Sequence, residues 1–383
     1  MTKTLRHIIQ HFVPAWFTVT MGTGILGISI YNLPYQFSGC KVIGFSIFVL
    51  NCVLFSLFSL ITIAKYLMHP GSLHNTLCHP AQSMFLGAIP MGFATIVNSI
   101  VLMSPINSHA YVPTLALVLW YIDVVLMLLS VFAVSFYMAI VHKHSFDTMF
   151  ATWLLPLVPA VVTAASGALV ASIQPPSTAK LVIILSYIIW GIGVPLSCCV
   201  ITIYFARLAF NSLPPPEIII SSILPLGPMG QGAFGIINLG NIAHNLSKNS
   251  SNEAYRIFGE SAFGAGILIG LIMWGFAVFW ISTAAVYIAM TFKKTPFKFN
   301  LGWWGLTFPI GVFISATDSL AKYLQSSAFR VIGTALTLFL TLFWLLDIYL
   351  TFINALNLSL FVDPSAKNRA LLSDPQLDHQ SRS

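Results

Sequence analysis

Charge is what this chain has least of. Lys, Arg, Asp and Glu together are 7% of its 383 residues, whereas hydrophobic residues are 57% and the mean hydropathy is +0.88. A soluble domain of this size cannot cover itself with so few charges, so the chain reads as a polytopic membrane protein. Cysteine is also scarce. The five thiols, at 40, 52, 78, 198 and 199, show no CxxC spacing and fall mostly in apolar segments, which argues against a disulfide framework or a zinc site. Long polar connections are missing, which leaves no room for a separate soluble domain. The first apolar stretch follows Lys3, Arg6 and His7, runs too long for a leader and lacks a cleavage site, so it is expected to be retained as a span. No Lys or Arg lies deep in any apolar run.

What fills the chain is a series of apolar runs. Ten spans are predicted, at 15–33, 42–67, 82–104, 113–140, 149–172, 180–206, 218–245, 263–290, 302–323 and 328–356. Residues 1–14 form a cytoplasmic N-terminal segment, 15–356 the all-α transmembrane domain, and 357–383 a cytoplasmic tail, polar and disordered from Asp363 onward. With the N-terminus inside, eleven Lys and Arg fall on the inner side and six on the outer, which favours cytoplasmic termini. The sequons at Asn245 and Asn249 lie in or near the longest loop assigned outside, Asn245–Ala262, and are glycosylation candidates. A third, at Asn357, falls inside and is expected to stay unused. The net charge of +7 is read as topology and attraction to the lipid bilayer's inner leaflet, with no nucleic-acid partner.

Five of the ten segments carry a Gly- or Pro-rich core: Met21–Gly24, Ile89–Phe93, Leu155–Pro159, Leu224–Pro228 and Thr307–Gly311. The Phe/Leu/Ile-rich segments between them are expected to run unbroken. Pro90, Pro156, Pro225 and Pro309 are 66, 69 and 84 residues apart, so the repeating unit is a helical hairpin. Irregular backbone at membrane depth is tolerated only where it is buried in protein or lines a polar cavity. Five broken helices therefore predict an inner ring around a pathway, with five smooth helices outside it. That is transporter or channel architecture.

The run from Leu224 to Asn241 holds two prolines and five glycines, which free carbonyls and allow close approach of other backbone. Gln231, Asn238 and Asn241 share one helix face. Polar residues within a span face the bundle interior or an aqueous cavity; the alternative use of such a stretch is close packing through small residues. Phe308, directly before Pro309, is placed to project into a narrow pathway as a pore gate, although a chain with 30 phenylalanines buries most of them as packing. The pore-lining set read from the cores is Thr20, Gly22, Thr23, Gly24, Gly92, Phe93, Gly227, Gln231, Gly235, Asn238 and Thr307. Trp303 and Trp304, echoed by Trp16 and Trp153, suit an interfacial belt.

The run Trp303-Trp304-Gly305-Leu306-Thr307-Phe308-Pro309, with the broken-helix repeat, resembles the tellurite-resistance/dicarboxylate transporter family. That family includes bacterial tellurite-resistance proteins, plant slow anion channels, yeast malate permease and fungal sulfite efflux pumps. The runs Phe17–Gly24, Pro90–Thr95 and Leu226–Gly232 are most similar to the sulfite pumps, and the malate permeases lack the Gly-Pro-x-Gly-Gln-Gly run. The resemblance covers residues 10–360. It implies ten helices in five hairpins with quasi-fivefold symmetry, odd-numbered helices lining a central anion pore, Phe308 as the occluding ring, and a homo-oligomer, trimeric in the family. The long phosphorylatable tail of the plant channels has no counterpart, so kinase gating of that kind is not expected.

Three acids fall within spans, where carboxylates are functional candidates. Asp123 is taken for proton or ion coupling; Asp318 has Lys322 four residues on as a partner, and Asp347 is read as a packing anchor. His142 and Asp147 match the HxxxxD spacing of some membrane acyltransferases, and His69, His74 and His79 share one inner loop. No catalytic residue, metal or cofactor is assigned. A pathway without a fixed cation can hold anions through amides of kinked helices, Thr and Asn side chains and helix N-termini. Outward movement of a monoanion is favoured by roughly 2.3 kcal/mol per 100 mV, inside negative. Dicarboxylate uptake against that field needs co-transported protons, and no proton relay is legible. The reading is a plasma-membrane exporter of the small inorganic anion sulfite. Its alternatives are a dicarboxylate permease or slow anion channel and, from another class, a membrane acyltransferase.

Overall fold

The structure, a computed structural model, describes residues 3–103, 109–296 and 298–361. Among these residues the regular structure is entirely helical. Helix α1 (Lys3–His11) leads into α2 (Phe17–Tyr31), α3 (Cys40–Met68), the short α4 (Ser72–Cys78) and α5 (Ala88–Leu102). Helix α6 (Val112–Leu128) passes through a π turn at Leu129–Val134 into α7 (Ser135–Ile140). Then follow α8 (Val158–Ala171), α9 (Pro176–Phe210), α10 (Leu226–Ser247), α11 (Glu253–Phe292), α12 (Thr307–Tyr323) and α13 (Ser327–Leu356).

The irregular backbone lies at the start of the inner helices rather than within them. A 3-10 segment precedes each of α2, α5, α8, α10 and α12: Pro14–Trp16, Ser83–Gly87, Ala151–Leu154, Ile219–Ile223 and Leu301–Leu306. Helix α2 continues through Met21–Gly24, contrary to the expected break there. Pro90, Pro159, Pro228 and Pro309 occupy the first three positions of their helices, where an N–H has no intrahelical acceptor and proline costs nothing. Helices α2, α5, α8 and α12 have 15, 15, 14 and 17 residues. That is about 21–26 Å of helix, short of the roughly 30 Å of a hydrocarbon core. The 3-10 segments extend them. Of the outer helices, α9 runs on through Pro195 and α6 loosens at its π turn, so these two are not the uniform rods expected.

Seven helices among the described residues are long and apolar enough to cross a membrane, or eight if Thr4–His11 and Pro14–Tyr31, bent by 89°, count as one span. The predicted spans 149–172 and 302–323 coincide with α8 and α12, which fall short of that measure because they are brief, 14 and 17 residues, and because α12 carries Thr, Ser, Asp318 and Lys322 among its apolar residues. The expected external loop Asn245–Ala262 is mostly helix instead: α10 ends at Ser247, and Asn252 caps α11 by accepting the Tyr255 N–H at 3.2 Å.

Burial separates two classes. The most apolar stretch of Ile219–Ser247 is 94% buried, whereas those of Cys40–Met68 and Glu253–Phe292 are 17% and 22% buried. The buried helices touch in the order α2, α5, α8, α10, α12, and α12 returns to α2, so they close a ring. Each outer helix then bonds past its own hairpin to the inner helix of the next. Asn51 Nδ2 donates to Thr95 Oγ1 (3.0 Å) and Trp120 Nε1 to the Thr163 carbonyl (2.9 Å). Trp190 Nε1 donates to the Gly232 carbonyl (3.1 Å), Trp274 Nε1 to Thr317 Oγ1 (2.9 Å), and Trp344 Nε1 to Thr23 Oγ1 (3.1 Å) on α2. These donors are 69, 70, 84 and 70 residues apart, the hairpin period again.

The two ends of the described chain share one face. Lys65 Nζ, buried at the end of α3, donates to the Phe12 carbonyl (2.7 Å) and holds the elbow between α1 and α2. Phe361 stacks on Trp16 with centroids 5.1 Å apart, and its carbonyl accepts from His7 Nε2 at 3.0 Å. Residues 357–361 of the predicted tail are therefore folded back, and 362–383 lie outside the described residues.

Candidate functional site

Each inner helix turns one stripe toward the centre of the ring. The stripes are Met21, Ile25, Ile28 on α2; Met91, Thr95, Asn98, Leu102 on α5; and Val158, Val162, Leu169 on α8. On α10 the stripe is Gly227, Gln231, Phe234, and on α12 it is Phe308, Val312, Ser315. The spacing of three and four residues is that of one helix face. Two cavities lie along these stripes, each bounded by all five inner helices, and Phe308 lines both. The cavity toward the N-terminal ends is walled by Met21, Met91, Val158, Gly227, Phe308 and apolar neighbours; the one beyond Phe308 adds Thr95, Asn98, Gln231 and Ser315. They offer about 20 Å³ and 10 Å³ to the centre of a water, the polar one being larger. That is room for about one water each, and the Phe308 ring borders both.

Because the first turns of all five inner helices surround the apolar cavity and their later turns surround the polar one, the helices run parallel. Their N-terminal ends each carry about half a positive charge toward the apolar side. Among the described residues no charged side chain lines either cavity, so the field there comes from backbone.

The hydroxyls lie differently from what the sequence suggested. Thr20 donates to the Phe17 carbonyl (2.8 Å), Thr307 to that of Trp304 (2.7 Å), Thr95 to that of Gly92 (2.7 Å) and Ser315 to that of Gly311 (3.2 Å). Thr23 receives Trp344. The protons of Thr20, Thr95, Thr307 and Ser315 are spent on carbonyls three or four residues back, leaving only lone pairs. The uncommitted polar groups are two carboxamides. Asn98 is 6% exposed with Oδ1 unpartnered, and Gln231 is 3% exposed with no side-chain hydrogen bond among the described residues.

Of the predicted set, Phe308, Gln231 and Gly227 line a cavity. The others lie at contacts between helices. A methyl group added at Gly22 would strike Thr307, one at Gly24 would strike Thr95 and Asn51, and one at Gly92 would strike Thr20. At Gly235 it would come 3.2 Å from Ala165 Cβ. Phe93 packs against Phe55 with centroids 5.6 Å apart, and Asn238 Nδ2 donates to the Phe234 carbonyl (2.7 Å) and Ser319 Oγ (3.4 Å). Thr95, Asn98 and Ser315 were not in that set. The signal for them was register: Asn98 and Ser315 stand seven residues after Met91 and Phe308, and Thr95 and Gln231 stand four after Met91 and Gly227.

Asp123 is fully buried on α6 and accepts from Thr163 Oγ1 at 2.7 Å, behind the ring rather than at a cavity. Asp347, three residues after Trp344 as Asp123 is after Trp120, is buried with both oxygens unpartnered. The pair expected between Asp318 and Lys322 does not form: the ammonium lies 5.2 Å from the centre of the Tyr323 ring, while Asp318 Oδ1 is buried without a partner and abuts Gly333. His142 Nε2 donates to the Leu77 carbonyl (2.7 Å), whereas Asp147 Oδ1 accepts from Asn211 (2.7 Å), so the two are held by different partners. His144 stacks edge-on against Trp153, and burial together with the neighbouring His142 lowers its pKa below the usual imidazole value. His79 Nδ1 accepts the Ala81 and Gln82 N–H groups, and His74 contacts Cys78; among the described residues no three metal-binding side chains converge.

The SLAC1 family, described as voltage-dependent anion channel, matches residues 11–352. The sulfite efflux pumps SSU1 of Arthroderma benhamiae and Trichophyton rubrum are each 41% identical over 354 residues, 92% of this chain and 93% of theirs. The malic acid transport protein of Schizosaccharomyces pombe is 24% identical over 346 residues, 89% of this chain and 78% of its own. A closed, parallel helix ring with an uncharged axis accords with such relatives, and the match spans nearly the whole chain: it belongs to the SLAC1 family of voltage-dependent anion channels.

Proposed function

We propose that this protein exports sulfite across the plasma membrane through the axis of the five inner helices. In this reading ten helices form five hairpins with quasi-fivefold symmetry, both termini are cytoplasmic, and Phe308 is the gate. The observation that carries it is the set of five stripes in step around one axis, interrupted at Phe308. The sharing of one face by α1 and Phe361 supports an even number of crossings. The names of the relatives at 41% identity support sulfite. Efflux of a monoanion runs down the electrical gradient and needs no coupling proton, so Asp123 serves as a strut between α6 and α8. Asn249 is the better glycosylation candidate, because it is exposed and outside a helix, whereas the Asn245 sequon lies in α10 with Ser247 fully buried. Assembly as a homo-oligomer rests on family likeness.

The test is flux from proteoliposomes loaded with sulfite, malate or chloride. Sulfite is expected to leave faster than malate. Faster malate would move the protein to the permease reading, and no movement of any anion, with lipid acylation lost in His142→Ala, would move it to the acyltransferase reading.

A further inference from the structure

Sulfite exchanges a proton near neutral pH, so a sulfite pathway meets two species, a dianion and the protonated monoanion hydrogensulfite. We propose that the site lined by Asn98 and Gln231, which has room for about one water in this structure, binds the protonated monoanion and rejects the dianion when the ring widens to conduct. This rests on the export reading and deepens it. The donors and acceptors around the cavity carry the inference. Thr95 and Ser315 have given their protons to the Gly92 and Gly311 carbonyls, and Thr95 Oγ1 also accepts from Asn51, so toward a ligand the Ser315 oxygen and the one remaining lone pair of Thr95 can only accept. The free donors are the amide N–H groups of Asn98 and Gln231, and the same side chains bring two further acceptors, of which Asn98 Oδ1 is buried with no donor to satisfy it.

A site so rich in acceptors suits a ligand that both receives and gives hydrogen bonds. Hydrogensulfite does both: its charged oxygens accept from the amides, and its single proton meets an amide oxygen. The dianion has no proton to give, and every lone pair in the cavity repels it. Charge works in the same direction. Among the described residues no titratable or charged side chain lines the cavity from any of the five helices, and the cost of taking an ion out of water grows with the square of its charge. A cation-free site that tolerates a monoanion therefore excludes a dianion strongly. Each exported anion leaves with its own proton attached.

The intact protein tests this without mutation. Proteoliposomes at constant total sulfite are taken upward in pH through neutrality, with nitrate, a monoanion that has no proton, run in parallel. Sulfite flux is expected to fall about tenfold for each pH unit above the hydrogensulfite pKa, following the monoanion fraction, while nitrate flux stays level. Sulfite flux that holds or rises with pH while anions still move overturns the proposal and leaves the export reading intact. An absence of flux for every anion at every pH overturns the export reading. Asn98→Leu removes the unsatisfied acceptor, and the sulfite-to-nitrate ratio is expected to drop on the order of tenfold; an equal loss of both anions counts against the proposal. Gln231→Lys supplies the missing cation and is expected to flatten the sulfite pH profile, and an unchanged steep profile in a conducting variant contradicts the site.

Discussion

In one layer of the axis the largest side chain stands beside the smallest. Met21, Met91, Val158, Gly227 and Phe308 form one rung, and α10 and α12, which carry Gly227 and Phe308, are neighbours. Phe308→Ala removes the ring and adds no charge. If the ring contributes about 1.4 kcal/mol to the barrier, anion conductance rises roughly tenfold, with relaxed selectivity, in single-channel or liposome measurements normalised to protein. Lower flux in proportion to lower protein level would mark Phe308 as packing. Gly227→Val fills the space beside the ring, where the nearest atom to a new Cβ is Pro309 Cγ at 3.8 Å. Normal expression with flux reduced on the order of tenfold is expected; unchanged flux would place the constriction elsewhere. Phe308 and Gln231 were legible because one precedes a proline and the other interrupts an apolar run. Asn98 was not, since only the register of α5 against α10 and α12 turns it to the axis. The commitment of the Thr and Ser protons to their own carbonyls is a rotamer choice that residue order does not record.

The five outer-to-inner bonds are the elements' own fastening. An interhelical hydrogen bond of this kind contributes about 0.6 kcal/mol in a membrane protein. Trp344→Phe keeps the aromatic bulk and removes the donor to Thr23, so the melting temperature of the purified protein is expected to fall by about 1 °C. Thr23→Val on the same background should add little more, as for two halves of one contact; full additivity would mean that Trp344 acts through packing alone. Helix extents were largely readable, because apolar runs and Gly/Pro punctuation set them. Helix α11 began earlier than expected, at Glu253, since its first turns are polar and a hydropathy reading discards them even though Asn252 caps them. Proline was read as a break, yet at a first turn it fits the helix without loss, so the cores mark beginnings.

For the whole molecule, orientation is the open choice that charge placement addresses. A thiol introduced at Ser250, between α10 and α11, is expected to react with an impermeant reagent from outside intact cells; labelling only after permeabilisation would invert the topology. The all-helical, multi-span character was readable from the apolar runs and their Gly/Pro punctuation. Closure of the ring was not, because it depends on α12 meeting α2 and on Trp344 reaching Thr23, contacts between opposite ends of the chain. That closure bears on how the protein is made. Synthesis delivers hairpins one at a time, and each fastening points to the inner helix of the hairpin that follows, except the last, which points back to the first. A growing chain is therefore an open fan in which every new pair secures its predecessor, and the ring closes only when Trp344 has left the ribosome and found a partner translated 321 residues earlier.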